Sequence, residues 1–177
     1  MSRDSKFLAR ILRHTPEEIG LELDPQGWAR IDELLRSLRK AGRVMSRAQL
    51  EEIVATNNKS RFTLSGDLIR AAQGHSVDVN LGLPRIEPPE TLFHGTAVRN
   101  LDAIFSEGLV PGRRRHVHLS GDPAAAIHVG KRHGKATVLR VETGRMHTSG
   151  HAFYRADNGV WLTDFVPSRY LGFGSWT

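Results

Sequence analysis

Apolar residues first recur along the chain at a helical interval. Phe7, Leu8, Ile11 and Leu12 share one face of a helix predicted from Ser5 to His14, and Pro16 should end it or force a new start. Leu21, Glu22 and Leu23 read as a short strand before the turn Asp24-Pro25-Gln26-Gly27. Asp32 is placed to cap a helix through Leu34, Leu35 and Leu38 that stops near Gly42. Ser46, with Gln49 three residues later, is a capping-box pattern ahead of Leu50, Ile53 and Val54. Arg61 to Leu64 and Leu68 to Ala71 flank Ser65-Gly66-Asp67, which reads as a hairpin. Helices followed by a two-stranded wing predict a winged-helix-like module over residues 1–80.

Pro84, Pro88 and Pro89 then interrupt the pattern, and a linker is expected over residues 81–90. Residues 91–177 change to short strands with little helix. Leu92-Phe93-His94 predicts a strand ending at Gly95, and Val98 to Phe105 a helix closed by Glu107-Gly108. Asp122-Pro123 starts another helix, with Asp as cap and Pro at the first helical position. Thr137 to Val141, Ala152 to Tyr154 and Val160 to Leu162 read as strands, the last after the turn Asn158-Gly159. The expected class is α+β, with a small mixed or antiparallel sheet in the second half. No internal repeat or low-complexity segment interrupts it.

The segment from Arg113 to Ser120 carries the strongest chemical signal. Read as a strand, it puts Val117 and Leu119 on one face and Arg114, His116, His118 and Ser120 on the other. A guanidinium, two imidazoles and a hydroxyl in one row, backed by apolar residues, suit the floor of an anion site. Phosphate leads, because Arg matches it with paired charge-assisted hydrogen bonds. A strand whose polar face merely meets water is the plainer alternative.

Composition narrows the classes. With 177 residues, 39% of them hydrophobic and 25% charged, the chain can bury a real core, and disorder is not indicated. Cysteine is absent, which excludes disulfides, thiolate nucleophiles and cysteine-ligated zinc. No apolar run is long enough to span a bilayer and no stretch resembles a signal peptide, so a soluble cytoplasmic protein is expected. The net charge of +6 favours polyanionic partners such as nucleic acid. Residues 1–80 hold 13 Lys and Arg against 11 Asp and Glu, and residues 81–177 hold 12 against 8. The positive charge gathers at Arg10-Arg13-His14, Lys59-Arg61 and Arg113 to Arg115, which suits a bounded phosphate site better than nonspecific coating of a duplex.

Other constellations are weaker taken singly. His94-Gly95-Thr96 would place an imidazole at a sheet edge, with a glycine that lets a ribose or pyrophosphate approach the backbone. His116 and His118 have a spacing familiar from zinc sites, with His94 or Asp122 as a third ligand, but three neighbouring arginines would repel a dication. Arg13 at a helix C-terminus compensates the helix dipole, and His14 could be a packed boundary residue. Asn57 to Phe62 runs into the wing, where basic residues often contact a nucleic-acid backbone. Gln73-Gly74-His75-Ser76 reads by itself as a loop. Walker and Rossmann loops, the Gly-x-Ser-x-Gly elbow and a carboxylate cluster beside the histidines are all missing.

In this order the segments resemble the NAD-dependent RNA 2′-phosphotransferase family. The matching stretches are Ser5-Lys6 through Leu12-Arg13-His14, Asn58 to Phe62, Ile69-Arg70-Ala71 with Gln73 to Ser76, Leu92 to Thr96, Arg114-x-His116 to Ser120, and Asn158 to Thr163. The resemblance implies a winged-helix-like N-terminal lobe and an ADP-ribosyltransferase-like C-terminal lobe around one cleft. It implies that an internal RNA 2′-phosphate, of the tRNA splice-junction type, attacks the nicotinamide ribose of NAD⁺. Nicotinamide leaves, the ribose 2″-hydroxyl then attacks the ADP-ribosylated phosphate, and the products are 2′-hydroxyl RNA and ADP-ribose 1″,2″-cyclic phosphate. By the same implication Arg13, His14, Arg61 and Arg114 are catalytic, while His94, Gly95, Thr96, His118 and Ser120 line the NAD⁺ site. No metal is needed, and a monomer is expected.

Three other readings use the same residues. The acceptor could be a terminal phosphate of RNA or DNA that stays ADP-ribosylated. The chain could be a noncatalytic winged-helix nucleic-acid binder with a ligand-sensing lobe. A His-ligated metal hydrolase is the last.

Overall fold

A computed structural model describes residues 3–57 and 59–174. The chain divides into two compact units, one up to Leu83 and one from Pro84 onward. The architecture is mixed α/β, built on small antiparallel sheets.

The first unit opens with α1 (Arg3–Arg13), which buries Leu8, Ile11 and Leu12 completely. Asp4 in its first turn and Arg10 and Arg13 in its last both complement the helix dipole. Phe7 sits at the margin of the stripe, with the guanidiniums of Arg10 and Arg43 at 5.3 and 4.0 Å from its ring centre. Pro16 starts a new 3₁₀ turn, Pro16–Ile19. Leu21-Glu22-Leu23 is not a strand: its backbone bonds are local, as when Leu21 N–H donates to Pro16 O, although the Leu21 side chain does enter the core. The Asp24 to Gly27 turn forms, with Gln26 and Trp28 N–H groups donating to Asp24 Oδ1.

β1 (Ala29–Arg30) was too short to show alternation, and α2 (Ile31–Lys40) follows it directly. Asp32 is therefore not the cap. The helix begins one residue earlier, Ile31 N–H donates to Asp67 O, and Asp32 lies in the first turn, paired with Arg30 at 3.1 Å. α3 (Arg47–Ala55) carries the full capping box of Ser46 and Gln49. β2 (Phe62–Ser65) and β3 (Leu68–Ala71) form the hairpin, and β1 pairs with the far edge of β3, giving a three-stranded antiparallel sheet in the order β1-β3-β2. Leu8, Leu12, Leu34, Leu38, Leu50 and Ile69 fill the core between the helices and this sheet.

The second unit starts with β4 (Leu92–Ala97), which does not stop at Gly95 but runs two residues further. It continues because all of it pairs with the strand Ala136–Val141, and α5 (Pro123–Gly130) packs its backbone against it: a Cβ on Gly95 would fall 1.6 Å from Ala126 O, and one on Gly130 would fall 2.7 Å from Thr96 O. Two glycines facing each other's backbones let helix and strand touch. The predicted helix from Val98 splits into a 3₁₀ turn, Val98–Asn100, and α4 (Leu101–Glu107). The expected strand from Arg113 shrinks to β5 (Val117–Leu119), because Arg114 N–H turns back to Pro111 O and the chain bends through His116.

Asp122 caps α5 as expected, accepting from Ala124 and Ala125 N–H. β6 (Ala136–Val141), α6 (Thr143–Thr148), β7 (Phe153–Arg155), β8 (Trp161–Thr163) and β9 (Leu171–Phe173) complete the unit. α6 and β9 are additions to the expected elements. The sheets run β4-β6-β9 and β5-β8-β7, both antiparallel. They are joined where Phe93 and Ser120 exchange backbone hydrogen bonds at 2.8 Å. Leu92, Leu139, Val141, Met146 and Phe153 form the core beneath. No helix among the described residues is long and apolar enough to cross a membrane.

Candidate functional site

In the first unit, the end of α1 presents Arg13 and His14. His14 is exposed rather than packed, and its Nδ1 lies 2.8 Å from Ser76 Oγ. Arg13 is half-buried, and its carbonyl accepts from the N–H groups of Ser76 and Val77 at 2.9 and 3.3 Å. The Gln73 to Ser76 loop thus closes the helix and contacts its histidine. His75 beside it is 3% exposed, and its Nε2 has no hydrogen-bond partner among the described residues. Burial first, then Arg13, Arg70 and His14, push its pKa down to about 4, so it is neutral at physiological pH. Arg70 in turn is buried, stacks 4.4 Å above the Trp28 ring and donates to Leu81 O.

Arg61 is held separately. Its Nη1 donates to Asn57 Oδ1 at 2.9 Å, and Asn57 Nδ2 donates to Ser5 Oγ on α1 at 2.8 Å. Its partner Asn58 in the sequence motif lies outside the described residues. Arg61 is thereby tied back to the first helix. That tie is a positioning device that no spacing rule could reveal.

In the second unit three of the expected side chains form one chain of contacts. Arg114 Nη1 donates to His118 Nδ1 at 2.7 Å, and His94 Nδ1 donates to His118 O at 3.0 Å. A guanidinium only donates, so His118 Nδ1 accepts and its proton sits on Nε2. His94 must donate to a carbonyl from Nδ1, which turns its Nε2 lone pair the other way. Burial, outweighing the bond to His118 O and aided by His133, lowers the His94 pKa, and the ring is neutral. Arg114 is an exposed residue, yet desolvation first and then Arg132 lower its pKa from the ordinary value. It remains cationic at neutral pH. Arg132 and His133 belong to the 3₁₀ turn Lys131–His133 after α5, and sequence reading did not single them out.

The remaining candidates fall outside this chain. His116 leaves the row and turns to Asp164, 3.5 Å from its Nε2, with its ring 5.7 Å from that of Tyr154; burial lowers its pKa more than Asp164 raises it. Gly95 faces α5 on the side where a Cβ would stand. Thr96 is 5% exposed, and its Oγ1 accepts from Asn100. Ser120 Oγ donates to Asp122 O and accepts from Asp122 N–H, a turn that sets the start of α5. Among the described residues no three His, Asp or Glu side chains gather to hold a metal ion.

Guanidiniums held by side-chain bonds and imidazoles with defined tautomers are groups that can meet an oxyanion. Comparison with known proteins supplies the class: the chain resembles transferases. It is 57% identical over 169 residues to a "Probable RNA 2'-phosphotransferase" of Agrobacterium fabrum, covering 94% of this chain and 91% of that protein. Proteins with the same description from Hahella chejuensis and Streptomyces griseus are 53% and 51% identical, covering 94% of this chain and 91% and 93% of theirs. The family model described as "RNA 2'-phosphotransferase, Tpt1 / KptA family" matches residues 2–165, and the chain belongs to that family.

Proposed function

We propose that the protein is an NAD⁺-dependent RNA 2′-phosphotransferase. It removes an internal 2′-phosphate of the tRNA splice-junction type, giving 2′-hydroxyl RNA, nicotinamide and ADP-ribose 1″,2″-cyclic phosphate. The observation that carries this reading is the Arg114–His118–His94 chain, in which one cation and two neutral imidazoles are fixed by hydrogen bonds at the seam of two sheets. The second unit is read as the ADP-ribosyltransferase-like lobe. The first is read as winged-helix-like, which its helices and the β2–β3 hairpin support.

The donor set suits a dinucleotide. Arg114, with Arg132 and His133 close enough to shift neighbouring pKa values, offsets the charge of a pyrophosphate. His94 and His118 would hold the ribose side. When bound, NAD⁺ supplies an electrophilic ribose carbon with nicotinamide as leaving group. The protein's own groups do the rest. In the first unit Arg13 and Arg61 are read as groups that neutralise and orient an RNA phosphate, and in the second Arg114 is read as catalytic with them by the family resemblance; such positioning is worth up to ~7–11 kcal/mol of barrier. Each preorganised donor accounts for ~2.7–4 kcal/mol where charge develops on phosphate oxygens. His14 gives a proton to a phosphate oxygen or to the departing RNA 2′-oxygen. A phosphate is already a nucleophile, so neither a carboxylate base nor a metal is needed. A protein without cysteine suits the reducing cytoplasm, and we read it as acting there as a monomer.

The test is mass spectrometry of products from NAD⁺ and a synthetic RNA bearing one internal 2′-phosphate. Nicotinamide release that requires both substrates, with loss of the phosphate from the RNA, is expected. Intact 2′-phosphate after prolonged incubation overturns the proposal. A stable ADP-ribosylated RNA without cyclic product overturns its second half.

A further inference from the structure

We infer that Ser76 is a positioning residue for His14, holding its ring by Nδ1 so that Nε2 is the nitrogen that moves the proton. The inference rests on the reading of His14 as the acid of the proposed reaction.

His14 lies just past α1, where the helix no longer fixes a side chain; its N–H still donates to Arg10 O, but the ring is exposed. A solvent-exposed imidazole samples several rotamers, and each half-turn of the ring exchanges its two edges. Ser76 reaches it from 62 residues away, with Oγ 2.8 Å from Nδ1. The hydroxyl is well anchored. Ser76 N–H donates to Arg13 O, so the same residue closes the helix through its backbone and steers the ring through its side chain. Its neighbour His75 is 3% exposed and locks the loop into the unit.

The chemistry of the partner is as informative as its position. A hydroxyl both donates and accepts. It accepts from Nδ1–H of the imidazolium and goes on accepting from the same Nδ1–H after Nε2 has given up its proton, so the bond survives the transfer. A carboxylate at this place would favour the charged ring and hold back its proton. A serine sets direction without committing the charge, which suits a group that must lose a proton and regain it. Once Nδ1 is engaged, Nε2 is the edge turned away from Ser76.

Four variants test this by single-turnover kinetics with 2′-phosphorylated RNA and NAD⁺. Ser76→Ala should lower the rate at saturation about three- to tenfold, with half-saturating RNA nearly unchanged, as expected for a lost orienting hydrogen bond. Ser76→Thr, which keeps the hydroxyl at an exposed position, should restore most of the rate. In a His14→Ala background Ser76→Ala should cost nothing further. Full rate for Ser76→Ala alongside a crippled His14→Ala would overturn the inference, as would losses that multiply in the double variant or a Thr variant as slow as Ala. Full activity of His14→Ala alone strikes instead at the proposed role of His14, so the two failures are told apart.

Discussion

The two units hold their candidate groups by different means. In the first, Arg13, His14 and Arg61 sit on a helix end and a strand edge and are tied by side chains and loops: Ser76 to His14, and Asn57 between Arg61 and Ser5. In the second, His94 and His118 stand on adjacent strands, and sheet register alone brings Nδ1 of one to the carbonyl of the other. Ties of the first kind can be loosened one at a time, whereas a register fails as a whole. Catalytic rates should therefore respond to single polar changes in the first unit. The second should be most sensitive where its backbone packs.

The largest effect expected is at Gly95. Alanine there puts a methyl 1.6 Å from Ala126 O, backbone that cannot yield. Gly95→Ala should cost more than about 4 kcal/mol and leave the second unit unfolded in denaturant titration. Its counterpart is Gly42 in the first unit, at φ +77 with nothing within 4 Å of a new Cβ. Gly42→Ala should cost only about 1 kcal/mol, from backbone strain. Equal effects at the two positions would refute the close seating of α5 on β4.

Next is charge. Arg114→Ala should reduce turnover by roughly a hundred- to a thousandfold, the usual loss for one donor to a developing anion. Arg114→Lys should restore little, since an ammonium cannot reproduce the fork that meets His118. Arg113→Ala should stay close to the parent rate. If Arg113 rather than Arg114 proves essential, the bend before β5 has been assigned to the wrong arginine.

Stability against pH sharpens the comparison further. His75 has a folded-state pKa of about 4, below the unfolded value of about 6.5, so the unfolded chain binds more protons between them. Its contribution is whole at pH 7 and is lost as pH falls from about 6.5 to about 4, at most about 3 kcal/mol. Denaturation of His75→Phe at pH 7 and pH 5 should show a shallower acid loss than the parent. An unchanged slope would mean that His75 is not buried neutral. His94 has the same sign of shift in the second unit, so the parent's acid sensitivity is shared between the two.

The smallest effects are at the helix caps. Ser46→Ala in α3 and Asp122→Ala in α5 should each cost about 1 kcal/mol in thermal melts.

Much of the local structure was legible. The α1 stripe, the Ser46 capping box, the β2–β3 hairpin and the Asp122-Pro123 helix start each follow from a rule spanning a few residues. Errors arose where a distant contact outweighed the local rule. Asp32 was displaced as cap because Ile31 found Asp67 O, and the strand at Gly95 continued because β6 pairs with all of β4. The row from Arg114 to Ser120 dissolved in part, since alternation holds only for residues in a strand, and Arg114 and His116 precede it. Even so Arg114 reaches His118, through a bend rather than along a pleat.

Residue types and their order carried the proposed chemistry: arginines for an oxyanion, histidines for protons, no cysteine or carboxylate cluster to suggest another route. They also defined most helices and strands, because capping, turn and periodicity rules act over a few neighbouring positions. Only the folded chain decided which nitrogen each histidine presents, which arginine has a fixed partner, and that Gly95 serves packing. Those outcomes depend on atoms separated by tens of residues, such as His14 and Ser76, and a hydrogen bond becomes directional only once both ends are held in space.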